Sequence, residues 1–205
     1  MRRCPTLREE LSVHEAGHLV AIALTPGFEP GEFVWRRLPE YEIAHVEPIY
    51  SARFDWEAPE DRNALIVRRV VVALAGGAAA DVCGTGGGQP ERLGVEAIHE
   101  RVGRVDFELA HEWLTLQRYD PDQRSLEVEI ARLFREVCGV LGTPVQRAAL
   151  DAVSRRILEE LRAADAIGAD ILTLPAGGLI DGLVLGPSAS FTLKATLHHR
   201  DHAGL

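Results

Sequence analysis

Val13-His14-Glu15-Ala16-Gly17-His18-Leu19-Val20-Ala21 is the stretch on which the reading of this chain turns. His14 and His18 are four residues apart, so in a helix they lie one turn above the other on one face. The flanks support a helix. Thr6-Leu7-Arg8-Glu9 reads as a capping box behind Pro5, and Thr25-Pro26-Gly27 closes the segment. Leu7, Leu11, His14, His18, Ala21 and Ile22 recur at helical spacing, which predicts a helix over 6–24 whose histidines continue an apolar stripe. A neutral imidazole on such a stripe needs a polar partner, and one Zn2+ ion would serve both rings. Glu15 completes the pattern His-Glu-x-x-His, in which the carboxylate is the general base toward a metal-activated water. Gly17 costs a helix about 1 kcal/mol relative to Ala, so it predicts a very close neighbour there, such as a strand or a substrate.

Composition narrows the class. A chain of 205 residues can bury a real core, as one domain or as one domain with an appendage. Its 46% hydrophobic and 26% charged residues are ordinary for a soluble globular protein. A net charge of −9 argues against a nucleic-acid partner, which needs a basic surface. Cys4, Cys83 and Cys138 are dispersed and odd in number, which fits a reducing cytoplasm, with Cys83 and Cys138 as small core residues. Met1-Arg2-Arg3 is not followed by an apolar run, so no signal peptide is expected. The run from Val70 to Ala80 is too short to span a bilayer.

Further along, 28–56 mixes Phe33, Val34, Trp35, Tyr41, Ile43, Val46, Ile49, Tyr50 and Phe54 with Pro and Gly, which predicts short strands and turns. Ala64, Leu65, Val67, Val71, Val72, Leu74 and Ala75 predict a helix over 60–82, ended by Gly84-Thr85-Gly86-Gly87-Gly88. That glycine run lacks the Gly-Lys-Ser/Thr ending of a phosphate loop. A helix is expected around Asp106, with a shorter one before it. Pro121 opens another, running to about Leu141, and Thr143-Pro144 starts the next. From about Asp170 the chain is broken by Gly and Pro, so that 171–191 reads as loops and short strands, and His198, His199 and His202 read as a solvated tail. The expected architecture is mainly α, with a small β segment between the first two helices. Residues 1–170 form the main domain and 171–205 a C-terminal extension. A strand at the edge of that segment would hold a peptide extended beside the histidine helix.

A catalytic zinc site takes three protein ligands and keeps one position open. The continuation Gly-x-x-His found in one large group of zinc peptidases is absent, because Ala21 and Leu24 stand at those positions. Asp106 is the best candidate for the third ligand, since Val102, Leu109, Ala110 and Trp113 around it are apolar or small and a carboxylate there needs a partner. The competing role is a helix-start cap or ion pair beside Gly103 and Arg104. His99, Asp81, Glu108 and Glu112 are weaker candidates, and His111 could line the pocket.

Three blocks together resemble a known family, the zinc peptidase domain of the membrane-anchored AAA+ proteases. They are Val13 to Ala21, then Val72-Ala73-Leu74-Ala75-Gly76-Gly77-Ala78-Ala79-Ala80-Asp81, then Asp106-Phe107-Glu108-Leu109-Ala110. The resemblance extends loosely over 6–170. It implies a helical peptidase domain, zinc held by His14, His18 and Asp106, and Glu15 as catalytic base. Ala80 stands where the family usually has Glu, and His111 where it usually has Thr. No Walker motif is present, so the expected activity is ATP-independent within this chain. The function expected is that of a zinc metalloendopeptidase acting on peptides or unfolded proteins. Those substrates would be free, met in a homo-oligomer, or presented by a separate partner. The competing expectations are a weak or inactive peptidase-like regulatory module that retains zinc, and a zinc hydrolase for a non-peptide amide.

Overall fold

Pro59-Glu60-Asp61 begins the longest helix of the molecule. Proline fixes the first turn and the two acids sit at the positive end of the helix dipole. The helix, α2 (Pro59–Val82), buries Ile66, Val70, Val71, Leu74, Ala75, Ala78 and Ala79, too many for one narrow stripe. A helix apolar on several sides belongs in the middle of a bundle. The structure, a computed structural model, places it there and describes residues 7–50, 57–84, 95–117 and 123–185.

Around α2 pack α1 (Leu7–Leu24), α3 (Val95–Val102), α4 (Arg104–Gln117) and α5 (Gln123–Leu141). The next helix, α6 (Pro144–Ala166), lies against α1, with Thr143 as N-cap residue and Pro144 in the first turn as the sequence predicts. A buried contact of 2.9 Å between the hydroxyls of Ser12 and Ser154 ties α1 to α6. Gly27 follows α1 at φ 81°, a left-handed turn that glycine enters without strain, and the chain turns into β1 (Phe28–Arg37). An antiparallel hairpin leads to β2 (Glu42–Tyr50), in longer strands than the sequence implies. No helix among the described residues is long and apolar enough to cross a membrane.

The fold is mostly helical with one small sheet, and that sheet is not confined to the segment between the first two helices. The sheet has a third strand, β3 (Ile171–Pro175), which pairs antiparallel with β1 and gives the order β2-β1-β3. After it comes α7 (Gly177–Ile180), docked through buried Ala176 and Leu179 and by Arg156 donating to the carbonyls of Leu179 and Asp181. Residues 171–180 therefore pack on β1 and α6. The predicted stripe on α1 divides along the helix. Its Ala21 and Ile22 are buried with Ala16, Leu19 and Val20, whereas Leu7, 69% exposed, with Leu11, His14 and His18 borders a cleft. Cys138 is buried and Cys83 half-buried. Cys4, Thr6, Phe54, Thr85 to Gly88, Pro121 and the tail histidines lie outside the described residues.

Two arginines lock the sheet to the helices. Arg8 donates from Nε to Glu42 at 2.8 Å and also pairs with Asp165 near the end of α6. Arg37 joins Asp165, and both guanidinium groups lie over the Trp35 ring, at 5.7 and 5.2 Å. The hydrogen bond from Arg8 holds the Glu42 carboxyl below its ordinary pKa.

Gly17 explains how α1 and α2 meet. A Cβ there would stand 2.3 Å from the Ala75 carbonyl oxygen and 2.6 Å from the Ala79 Cβ. The close neighbour is thus a helix backbone, neither strand nor substrate. Gly17→Ala is expected to destabilise the protein by about 1–3 kcal/mol through overpacking, although alanine is the better helix former. Urea unfolding of the two proteins checks this. A stabilised variant would show that the helices are not held at this distance.

Candidate metal centre

Two helices deliver three donors to a single point. His14 and His18 come from the middle of α1, and Asp106 from the first turn of α4. His14 Nε2 lies 2.9 Å from Asp106 Oδ2, His18 Nε2 lies 3.0 Å from His14 Nε2, and His18 Nε2 lies 3.3 Å from Asp106 Oδ2. Zinc bonds of about 2.0–2.1 Å in a tetrahedron set donor–donor edges of roughly 3.3 Å. The three edges match that triangle to within a few tenths of an ångström. Among the described residues this is the one group of three His, Cys, Asp or Glu side chains drawn so close together.

The local chain explains each placement. Gly103 joins α3 to α4 at φ 85°, a left-handed conformation in which a side chain would be strained. The sharp joint starts α4 where its third residue, Asp106, reaches back to α1. Arg104 pairs with Glu108 at 2.8 Å, leaving Asp106 to the histidines. His18 Nδ1 lies 2.8 Å from the Val72 carbonyl oxygen. A carbonyl only accepts, so Nδ1 carries the hydrogen, and in the neutral ring Nε2 presents a lone pair to the site.

Gly76 supplies the space. A Cβ at that position would stand 2.5 Å from His14 Nε2 and 2.6 Å from His18 Nε2. The donors therefore converge on bare backbone of α2. The sequence places Gly76 within a resembling block without giving it a task. Its visible signal is a Gly-Gly pair inside an alanine-rich helix, unfavourable for helix formation and thus in need of a packing reason.

The electrostatics match the donor set. Burial works against a charged Asp106, but hydrogen bonds from His14 and His18 outweigh it and hold the carboxyl well below its ordinary range. Burial likewise opposes a charge on His18, yet the Asp106 carboxylate raises its pKa to about 9. A site that favours a proton so strongly is one where a cation would be welcome. Glu15 is 2% exposed, and burial pushes its carboxyl pKa up. Its Oε2 has no hydrogen-bond partner among the described residues. The site opens into a cleft of about 870 Å³, with β2 on one side, α3 and α4 on the other, and α1 and α2 beneath.

The remaining sequence candidates lie elsewhere. His99 is exposed and stacks on Phe107 at 4.5 Å. Asp81 is buried near the end of α2, Glu108 is taken by Arg104, and Glu112 is exposed. His111 is half-buried and does not line the cleft. The cleft also contains His45, Arg69 and the Val72 backbone, which the sequence alone did not single out. Comparison with family models, curated proteins and solved structures finds no match to this chain.

Gly76→Ala separates the metal from the fold. The histidine rings can swing aside, so unfolding free energy should stay within about 1 kcal/mol of the parent, while the donors lose their convergence. Zinc affinity, measured by competition with a chromophoric chelator, is expected to fall at least about tenfold. Unchanged affinity would mean that the donors do not meet over Gly76.

Proposed function

We propose that this chain is a zinc-dependent metallopeptidase. The observation that carries the reading is the His14–His18–Asp106 triangle, set beside a buried carboxylate with an unpartnered oxygen on the floor of an open cleft. His14, His18 and Asp106 would hold the ion. Bound there, zinc would supply a Lewis acid that polarises a peptide carbonyl and acidifies a water. Glu15 takes a proton at Oε2 and returns it to the departing amine. The Val72 carbonyl keeps His18 in the required tautomer, and Ala75 and Gly76 allow the close approach that sets the donor triangle.

The cleft suits a peptide. β2 ends the sheet on one side among the described residues and lines the cleft from Glu42 to Val46. A strand in that place offers backbone groups to an extended chain, which aligns a substrate without regard to most of its side chains. The three blocks that resemble the AAA+ protease peptidase domain fall on α1, α2 and α4, the helices that build the site. This supports the family reading and the use of peptides or unfolded chains as substrates. A regulatory module that only stored zinc would have no use for Glu15 at this position.

Glu15→Gln keeps the shape of the side chain and removes the base. Hydrolysis of a quenched fluorescent peptide by the zinc-loaded protein is expected to fall by about 10²–10⁴-fold, with zinc still bound at one equivalent. Full activity in the variant would exclude this mechanism.

A further inference from the structure

A cation from α2, Arg69, lines the cleft, and its guanidinium carbon lies 4.8 Å from the centre of the Tyr50 ring and 5.1 Å from that of Trp113. Tyr50 is the last residue of β2 and Trp113 belongs to α4, so the two rings come from opposite walls. A side-chain hydrogen bond also links Arg69 and Tyr50.

Among the described residues, no anion faces Arg69. The ion pairs of Arg8, Arg37, Arg104 and Arg132 do not include Arg69. Its Nε is buried with no acceptor among the described residues. The other arginine lining the cleft, Arg104, is paired with Glu108. The cleft is otherwise rich in acids, Glu10, Glu42 and Glu100 among them, in a chain of net charge −9. A half-buried guanidinium without a counter-ion is costly. Two aromatic faces offset part of that cost, by about 0.5–2 kcal/mol each. They also hold the planar group in one orientation, so that a carboxylate would meet a fork already in place.

Its position relative to the triad fits a substrate. Arg69 precedes Gly76 by seven residues of helix, about 10 Å along the axis. An extended peptide covers that length in about three residues. We propose that Arg69 is a substrate-binding residue that receives a carboxylate of a peptide lying in the cleft, about three residues from the His14–His18–Asp106 triad. The carboxylate belongs to the peptide's own C-terminus or to an Asp or Glu side chain. The inference rests on the peptidase reading for the identity of its ligand, but not on turnover.

Binding tests it without catalysis. The Glu15→Gln protein, loaded with zinc, is titrated into N-terminally dye-labelled peptides and followed by fluorescence anisotropy. The probes are hexa-alanine as free acid, hexa-alanine as amide, and amidated alanine hexapeptides with Glu or Gln at the fourth position. The free acid is expected to bind at least tenfold more tightly than its amide, or the Glu peptide than its Gln counterpart. Whichever pair differs names the source of the carboxylate. Adding Arg69→Gln should erase the difference while leaving the amide's affinity in place, and Arg69→Lys should retain part of it. Equal affinities within both pairs overturn the proposal before any change at position 69, so it does not depend on Arg69→Gln folding. A difference that survives Arg69→Gln overturns it equally. Hydrolysis of the same peptides by the parent protein tests the other reading. Charge-selective binding with no hydrolysis would sink the peptidase assignment and leave the anion anchor standing.

Discussion

The whole arrangement depends on two helices packed with no side chain between them. At Gly17, α1 comes so near α2 that a single methyl would collide with the Ala75 carbonyl oxygen at 2.3 Å. One residue further along α2, Gly76 leaves room for the tips of both imidazoles. The glycines are on different helices and act on the same interface. One sets the distance between the helices, and the other keeps that distance from crushing the donors. Helix packing in proteins ordinarily leaves 8–10 Å between axes because side chains interdigitate, and small residues allow less. Here the shortened approach brings the Val72 carbonyl within 2.8 Å of His18 Nδ1, so one packing constraint also selects the tautomer of the neutral ring.

The third donor arrives by a separate device. Gly103 turns the chain between α3 and α4, and the first turn of α4 carries Asp106 to the histidines. A helix start favours an ionised carboxylate, which adds to the attraction of two imidazoles. The result is an acidic, largely buried cluster whose members satisfy one another only in part. Toward the start of α1, Arg8, Arg37, Glu42, Asp165 and Trp35 fasten the sheet to α1 and α6. That cluster fixes where β2 runs, and hence the width of the cleft in front of the donors.

Much of this was legible in the sequence because metal chemistry demands residue types at set spacing. His14, Glu15 and His18 need nothing beyond a helix to share a face or a turn, and the helix ends were marked by Thr25-Pro26-Gly27 and Thr143-Pro144. Asp106 stood out as a carboxylate among apolar neighbours. What could not be read were contacts between distant segments. The stretch from 171 reads as loops and short strands, but which strand Ile171 to Pro175 would join is not legible, because its pairing with β1 reaches back across more than a hundred residues. Gly17 announced a close neighbour but could not say which. The apolar spacing of Leu7 and Leu11 is the same whether that face meets a core or borders a cleft. The Val72 carbonyl has no sequence signal at all, and Arg69 gains its meaning only from Tyr50 and Trp113 beside it.

The account stands on a carboxylate distant in sequence completing a three-donor site with the paired imidazoles. The most direct measurement is zinc content by mass spectrometry, after equilibration in a zinc buffer near the parent's dissociation constant, for the parent and for Asp106→Ala. The account predicts about one zinc per chain retained by the parent at saturation and affinity lower by at least about tenfold in the variant, with an unchanged circular dichroism spectrum. Equal zinc occupancy in the two proteins would contradict it.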